Sequence, residues 1–502
     1  MACYDAMKAV LSSTLALLLV GAVAIAQAGD PTAVRDRVHE ALDALLAAKP
    51  LAGARVGVVV LEPKTGEVLA ESRPDEGFLT ASNMKLISSA VALEVLGPDY
   101  VFETKLVGRG TWYRNGTFDG DLLLIGSGDP TLGATYFEKS GSTAPFVRMA
   151  AALDARGVRR VDGRVLGDDS CQPDEIMGDG WDWSYHADWY AAQVGGLCFN
   201  ENCIDVVFEG TAAGRPPLVR LEPETGFVTI QNRVHCLMPS KGVRPSGVTW
   251  ARTLGGNEIT LTGSLAVDTR GKRDWGSVHN PTAFAATVLR ETLVRQGIPV
   301  TGGAGDTDEV AKPPQGEEME LFVHRSPPLR RIVHALNKRS QNLYAEQLPR
   351  AAARARGGDG SMASARKVAR QELERLGVDT SRLVLADGSG LSRLDMVSPR
   401  QIASLLDGMR ASPNFGVYFD SLPVAGVDGT LRRRFPEGNA ARGRVHAKTG
   451  YVSRTVALSG YVPRNDSEPL VFSILINDFV GASSGVQAAV DAFVGKLCTA
   501  LP

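Results

Sequence analysis

Histidine and cysteine are scarce in this chain and poorly spaced for metal chemistry. Seven histidines are scattered over 502 residues, and none falls in an H-E-x-x-H pair, so a helix-borne zinc site has no support. Of six cysteines, Cys3 stands at the head of an N-terminal apolar segment. Cys171, Cys198, Cys203, Cys236 and Cys498 remain, an odd number. Cys198 and Cys203 do not make a C-x-x-C, and His235-Cys236 is an adjacent pair without a second, so no structural metal is expected. One or two disulfides in the middle of the chain would fit an oxidising compartment, with connectivity open. An excess of one charge is missing too. The 54 basic and 56 acidic residues leave a formal net charge of −2, which points to neither nucleic acid nor a polybasic membrane surface. No apolar run after residue 26 is long enough to span a bilayer.

What is present begins with size. At 502 residues, two or three domains are expected, and 44% hydrophobic with 22% charged residues is ordinary globular composition. Residues 9–26, AVLSSTLALLLVGAVAIA, are apolar and lead to Ala26-Gln27-Ala28. That small-x-small pattern reads as a signal cleavage site, with the mature start near Gly29. Lys8 is the only basic residue ahead of the run and Asp5 opposes it, so an uncleaved N-terminal anchor is the alternative. Either way the body is expected to be exported, to the periplasm or cell envelope.

The chain is organised around TASNMKLISSAVALEVLG, residues 80–97. It reads as a turn and a helix with hardly a polar face, hence a buried one. Ser82 and Lys85 lie three apart, so they share a helix face. A serine hydroxyl is a weak nucleophile until a base takes its proton, and a buried lysine can be that base. The pattern alone is weak, because Ser364 and Lys367 repeat it on a polar helix. Setting distinguishes the pairs.

Around this helix the chain falls into blocks. Residues 31–48 read as a helix; 54–62 and 66–73 form a hairpin across Pro63-Lys64-Thr65-Gly66. Residues 101–278 change texture to short strands and Gly/Asp turns, with an aromatic stretch at 178–202 and an all-β run at 203–267. Helical periodicity returns at 281–298, 329–353 and 361–376. Ser398-Pro399-Arg400-Gln401 is a capping box. Strands at 444–452, 455–463 and 470–478 are joined by short connections, as in an antiparallel meander, before a last helix at 485–497. Residues 29–100 and 279–502 are therefore expected to form a catalytic domain, and 101–278 an inserted region of one or two small β-rich modules.

Two more patterns follow Ser82 in order: Ser340-Gln341-Asn342 and Lys448-Thr449-Gly450. Lys64-Thr65-Gly66 precedes the nucleophile, and Ser412-Pro413-Asn414 has proline at its centre; neither fits. S-x-x-K, S-x-N and K-T-G in this order are the signature of penicillin-binding proteins and serine β-lactamases, and the chain resembles that family. The long interval between Ser82 and Ser340 narrows the resemblance to D-alanyl-D-alanine carboxypeptidase/endopeptidases of the penicillin-binding protein 4 type. Gly126–Pro130, Asp387–Ser392 and LPVAGVDGTL at 422–431 look like that family too.

The resemblance implies an α+β fold, an antiparallel sheet flanked by helices with a large, mostly β insertion. It implies a serine D-Ala-D-Ala carboxypeptidase, and with it an endopeptidase, acting on peptidoglycan peptides and trapped by β-lactams. Ser82 would be the nucleophile and Lys85 its base, with Lys448 as the nearby cation that lowers the Lys85 pKa. Ser340 would relay the proton, and Asn342 would hold Lys85 and the substrate amide. Lys448 and Thr449 would bind the substrate carboxylate, and Gly450 would leave room for a peptide laid along the strand. The Tyr451 amide, with that of Ser82, would meet the oxyanion. No cofactor is implied. Asp387–Gly390 and Gly126–Pro130 read as turns, Arg432-Arg433-Arg434 as a solvated run that an anionic wall polymer could use, and His446 as a packed or surface residue. Competing readings are a β-lactamase or esterase on the same core, and an inactive wall-binding protein.

Overall fold

Two mostly apolar segments of the C-terminal third become strands with no exposed residue, Thr455–Val462 and Leu470–Asn477. Strands covered on both faces read as near-continuous hydrophobic sequence rather than as an alternation. In the computed structural model, which describes residues 31–500 apart from 64, 241 and 465–467, they lie in a five-stranded sheet. Its order is His446–Val452, Thr455–Val462, Leu470–Asn477, Arg55–Glu62, Glu67–Ser72, and every pairing is antiparallel. The helices Pro31–Leu46 and Ser483–Ala500 cover one face and bury Val38, Leu42, Val490 and Phe493 against Val58, Leu458 and Ile474. Met84–Leu96, Leu329–Arg339, Asn342–Ala355, Met362–Arg375 and Pro399–Arg410 cover the other. The N-terminal apolar run, its cleavage pattern, Cys3 and Lys64 lie outside the described residues. No helix among the described residues is long and apolar enough to cross a membrane.

The inserted region has its own sheets and core. Its largest sheet runs Ala304–Asp306, Val165–Asp168, Thr117–Ile125, Glu103–Trp112, Glu318–Arg325. Two three-stranded sheets hold the strands between Cys203 and Ser277. The inserted core draws on residues past the expected boundary at 278. The helix Pro281–Arg295 buries Phe284, Val288 and Leu289 in the inserted core with Leu122 and Phe199, and Glu318–Arg325 pairs along Glu103–Trp112. Residues up to about 325 therefore pack with the insertion rather than with the catalytic sheet.

The disulfide expectation is not met among the described residues. All five described cysteines are free. Cys198 Sγ is approached by the Gln347 amide at 3.2 Å and Cys236 Sγ by the Thr211 amide at 3.3 Å.

Candidate active site

Ser82 sits on a single 3-10 turn, Ala81–Asn83, that runs straight into the helix Met84–Leu96. Every residue from Met84 to Leu93 is buried, and Lys85 is 0% exposed. Its Nζ lies 2.9 Å from Ser82 Oγ, 2.7 Å from Asn342 Oδ1 and 2.7 Å from the Ser389 carbonyl oxygen. A neutral amine has two N–H donors and one lone pair. The two carbonyl oxygens can only accept, so they take the two N–H bonds, and the lone pair is left for the Ser82 hydroxyl to donate into. Burial lowers the Lys85 pKa to about 7, against the opposing pull of Asp387, Glu346 and Asp395. The ammonium form is thus disfavoured by about 5 kcal/mol relative to water, at about 1.4 kcal/mol per pH unit.

Ser340 breaks what reads in sequence as one helix. It takes the left-handed conformation, φ 61° and ψ 42°, between Leu329–Arg339 and Asn342–Ala355, which is strained for a residue with a Cβ. The break aims its hydroxyl at Lys448, whose Nζ donates to Ser340 Oγ at 2.9 Å and to the Thr449 carbonyl oxygen at 3.0 Å. Asn342 starts the next helix, accepting from Lys85 and donating to the Tyr190 carbonyl oxygen at 2.7 Å. Lys448 is also fully buried. Burial, and then repulsion from Lys85, holds its pKa well below the usual lysine value. This revises the expected relation between the lysines: burial sets the Lys85 value, and the like-charge repulsion falls on Lys448.

The K-T-G strand is an edge strand of the sheet, bridged at its start by Val424 opposite His446. Lys448 and Gly450 are buried while Tyr451 is 58% exposed, the two-residue alternation of a strand. A Cβ at Gly450 would meet the Thr80 carbonyl oxygen at 2.6 Å and Ala457 Cβ at 3.0 Å. Gly450 therefore lets the strand close onto the nucleophile turn; its bare face does not look into the cleft, contrary to the sequence expectation. Asn83 Nδ2 ties the same junction by donating to the Lys448 carbonyl oxygen at 2.8 Å. The Ala447 amide donates away from the sheet, to the Pro423 carbonyl oxygen at 2.9 Å. By alternation the amides of Thr449 and Tyr451 point the same way. Thr449 Oγ1 lies 2.7 Å from Thr430 Oγ1.

Behind Lys85 stands a buried acidic wall. Asp387 accepts from the Trp181 indole at 2.8 Å, the Gly390 amide at 2.6 Å and the Ser392 amide at 2.8 Å. It shapes the turn that presents the Ser389 carbonyl to Lys85, in keeping with the sequence reading of 387–390 as a turn. Burial and the charge of Asp387 push Glu346 up to about 7 and Asp395 well above the usual carboxyl range. In front, a cleft of about 360 Å³ is lined by Ser82, Ser340, Asn342 and Tyr451 together with Tyr185, Trp189, Tyr190 and Leu391.

Of the eight predicted positions, Ser82, Ser340, Asn342 and Tyr451 line the cleft, while Lys85 and Lys448 are buried and reach Ser82 and Ser340. The sequence reading missed the aromatic wall, because 178–202 folds as 3-10 turns without a period. It also missed Glu346, whose one signal was a carboxylate four residues after Asn342, on the same helix face. His446 is a packed residue, stacked on Phe419 with ring centroids 4.0 Å apart. The three arginines part company: Arg434 is bound to Asp491, while Arg432 and Arg433 are exposed.

The family model for the D-Ala-D-Ala carboxypeptidase 3 (S13) family matches residues 38–497. A D-alanyl-D-alanine carboxypeptidase of Actinomadura sp. (strain R39) is 36% identical over 469 residues, 90% of this chain and 83% of the relative. The D-alanyl-D-alanine carboxypeptidase DacB of Haemophilus influenzae is 25% identical over 444 residues, 85% of this chain and 86% of the relative. The crystal structure of penicillin-binding protein 4 from Haemophilus influenzae shares the fold with a TM-score of 0.74 at 23% identity, covering 90% of this chain and 98% of that one. With a family match over nearly all of the described residues and a relative alike along most of its length, the chain belongs to the D-Ala-D-Ala carboxypeptidase 3 (S13) family, the serine peptidases of the penicillin-binding protein 4 type.

Proposed function

We propose that this chain is exported, and that it removes the terminal D-Ala of peptidoglycan stem peptides through an acyl-enzyme on Ser82. The observation that carries the reading is the Lys85 Nζ to Ser82 Oγ contact of 2.9 Å, made by a lysine whose other two contacts are carbonyl oxygens. Export is supported by the apolar run at 9–26.

The substrate carboxylate binds at Lys448 and Thr449. An arriving anion favours the ammonium form of Lys448, so substrate binding draws a proton to that lysine. Ser82 Oγ then attacks the carbonyl of the penultimate D-Ala as its proton passes to Lys85. The developing oxyanion meets the backbone amides of Ser82 and Tyr451. The C–N bond breaks, and Lys85 returns the proton through Ser340 to the leaving nitrogen. Water then hydrolyses the ester with Lys85 as base. A β-lactam enters the same way, but its leaving group stays tethered, so the ester persists. The related penicillin-binding protein 4 of Haemophilus influenzae has been solved in complex with a β-lactam, in keeping with this. The same chemistry cuts a cross-link in which the D-Ala carbonyl is joined to another peptide's amine, giving an endopeptidase.

Intact mass after incubation with benzylpenicillin, with D-Ala release from a stem pentapeptide measured alongside, tests the reading. A stable adduct on the wild type and none on Ser82→Ala is expected, with D-Ala released by the wild type alone. Rapid destruction of the antibiotic without an adduct would favour a β-lactamase instead, and no adduct with intact antibiotic an inactive wall-binding protein.

A further inference from the structure

A second open groove of about 630 Å³ adjoins the cleft, lined by Trp189, Trp275, Lys338, Arg339, Thr430 and Arg432 among others. It begins where the leaving residue would sit. Arg339 directly precedes Ser340, Thr430 touches Thr449 at 2.7 Å, and Trp189 lines groove and cleft alike. A single D-alanine held at Lys448 and Thr449 would leave this groove unfilled. The charges of the groove are unequally committed. Lys338 Nζ lies 2.7 Å from Asp428, and Arg339 lies 3.1 Å from Glu201. Arg432 is exposed and has no ion-pair partner among the described residues. Trp189 and Trp275, both from the inserted region, stand with ring centroids 6.0 Å apart and line the same groove as these cations. A cationic and aromatic trough continuous with the leaving side suits an anionic peptide rather than a single amino acid.

We propose that this groove is the subsite for the leaving strand of a cross-linked peptide, with a carboxylate of that strand at Arg432 and its aliphatic part against the tryptophans. The inference rests on the reading of Ser82 as the nucleophile. In the step it serves, the Ser82 Oγ–C bond forms and the C–N bond to the leaving strand's amine breaks. The serine proton reaches that nitrogen through Lys85 and Ser340, and the strand departs as a free amine. Water then cleaves the ester and restores Ser82.

The test compares two substrates on the purified chain: a stem pentapeptide ending in D-Ala-D-Ala, and a peptide dimer cross-linked through D-Ala. Arg432→Glu is expected to lower kcat/KM on the dimer at least tenfold, mainly through KM, and to leave the pentapeptide within twofold. Arg432→Lys restores most of the loss, and Trp275→Ala gives a smaller loss on the dimer alone. An unchanged dimer rate in every variant overturns the proposal, as does an equal fall on both substrates or a wild type that cleaves only the pentapeptide. Failure of the underlying reading is seen separately: the wild type cleaves neither substrate, or Ser82→Ala cleaves both.

Discussion

Two neighbouring helices of this protein carry S-x-x-K, and the chain treats them in opposite ways. Ser364 and Lys367 lie on Met362–Arg375, a helix capped by Ser361, whose hydroxyl accepts from the Ser364 amide at 3.1 Å. Ser364 Oγ in turn donates to the Ser361 carbonyl oxygen at 3.0 Å, so its hydrogen is spent on the cap, and Lys367 is exposed. Ser82 and Lys85 open a helix whose N-terminus has no side-chain cap, since the Asn83 side chain reaches across to Lys448 instead. Their lysine is sealed off from water and its partners are chosen by the fold. Spacing brings a serine and a lysine together on either helix. On the reading proposed above, burial is what would make one pair a nucleophile and a base, because it disfavours the ammonium form.

The sharpest way to break the comparison is at Ser82. Ser82→Ala should cost at least about 10⁴-fold in D-Ala release, since the covalent route is lost, and should abolish the penicillin adduct seen by mass. Lys85→Ala comes next. With Ser82 in place but no base, the second-order acylation rate should fall by about 10²- to 10⁴-fold, measured by stopped flow with a fluorescent penicillin. A milder change acts through the acidic wall. Glu346 raises the Lys85 pKa by its charge, so Glu346→Gln should move the acid limb of the acylation profile to lower pH, by about one pH unit or less. A shift to higher pH would contradict that assignment. The smallest effect belongs to the other helix. Ser364→Ala and Lys367→Ala should leave acylation within twofold and stability within about 0.5 kcal/mol by urea unfolding.

The sequence was most legible where one element decides everything by itself. The helix of Ser82 has almost no polar face, and Thr455–Val462 and Leu470–Asn477 are mostly apolar and buried throughout because helices cover both sides. Legibility failed where the partner mattered more than the pattern. Pro281–Arg295 has a clear helical period, but nothing in that period says that its apolar face joins the inserted core. Ser340 lies in an unbroken helical pattern, and its left-handed kink, where it meets Lys448, has no signal there. Asp395 and Glu346 are polar letters in ordinary contexts, and only the fold converges them on Lys85. Gly450 was legible as a requirement but not in its reason: the close contact is with Thr80, on the protein side of the strand.

The pH dependence of the acylation rate with benzylpenicillin, from pH 5 to pH 9, tests the central claim most directly. The base must be neutral to accept the Ser82 proton, and burial places the Lys85 pKa at about 7. Acylation should therefore rise tenfold per pH unit on the acid side and level off above about pH 7, with this limb absent from the residual rate of Lys85→Ala. A rate that is flat across the range, or that still climbs toward pH 9 as for an ordinary exposed lysine, would contradict the account.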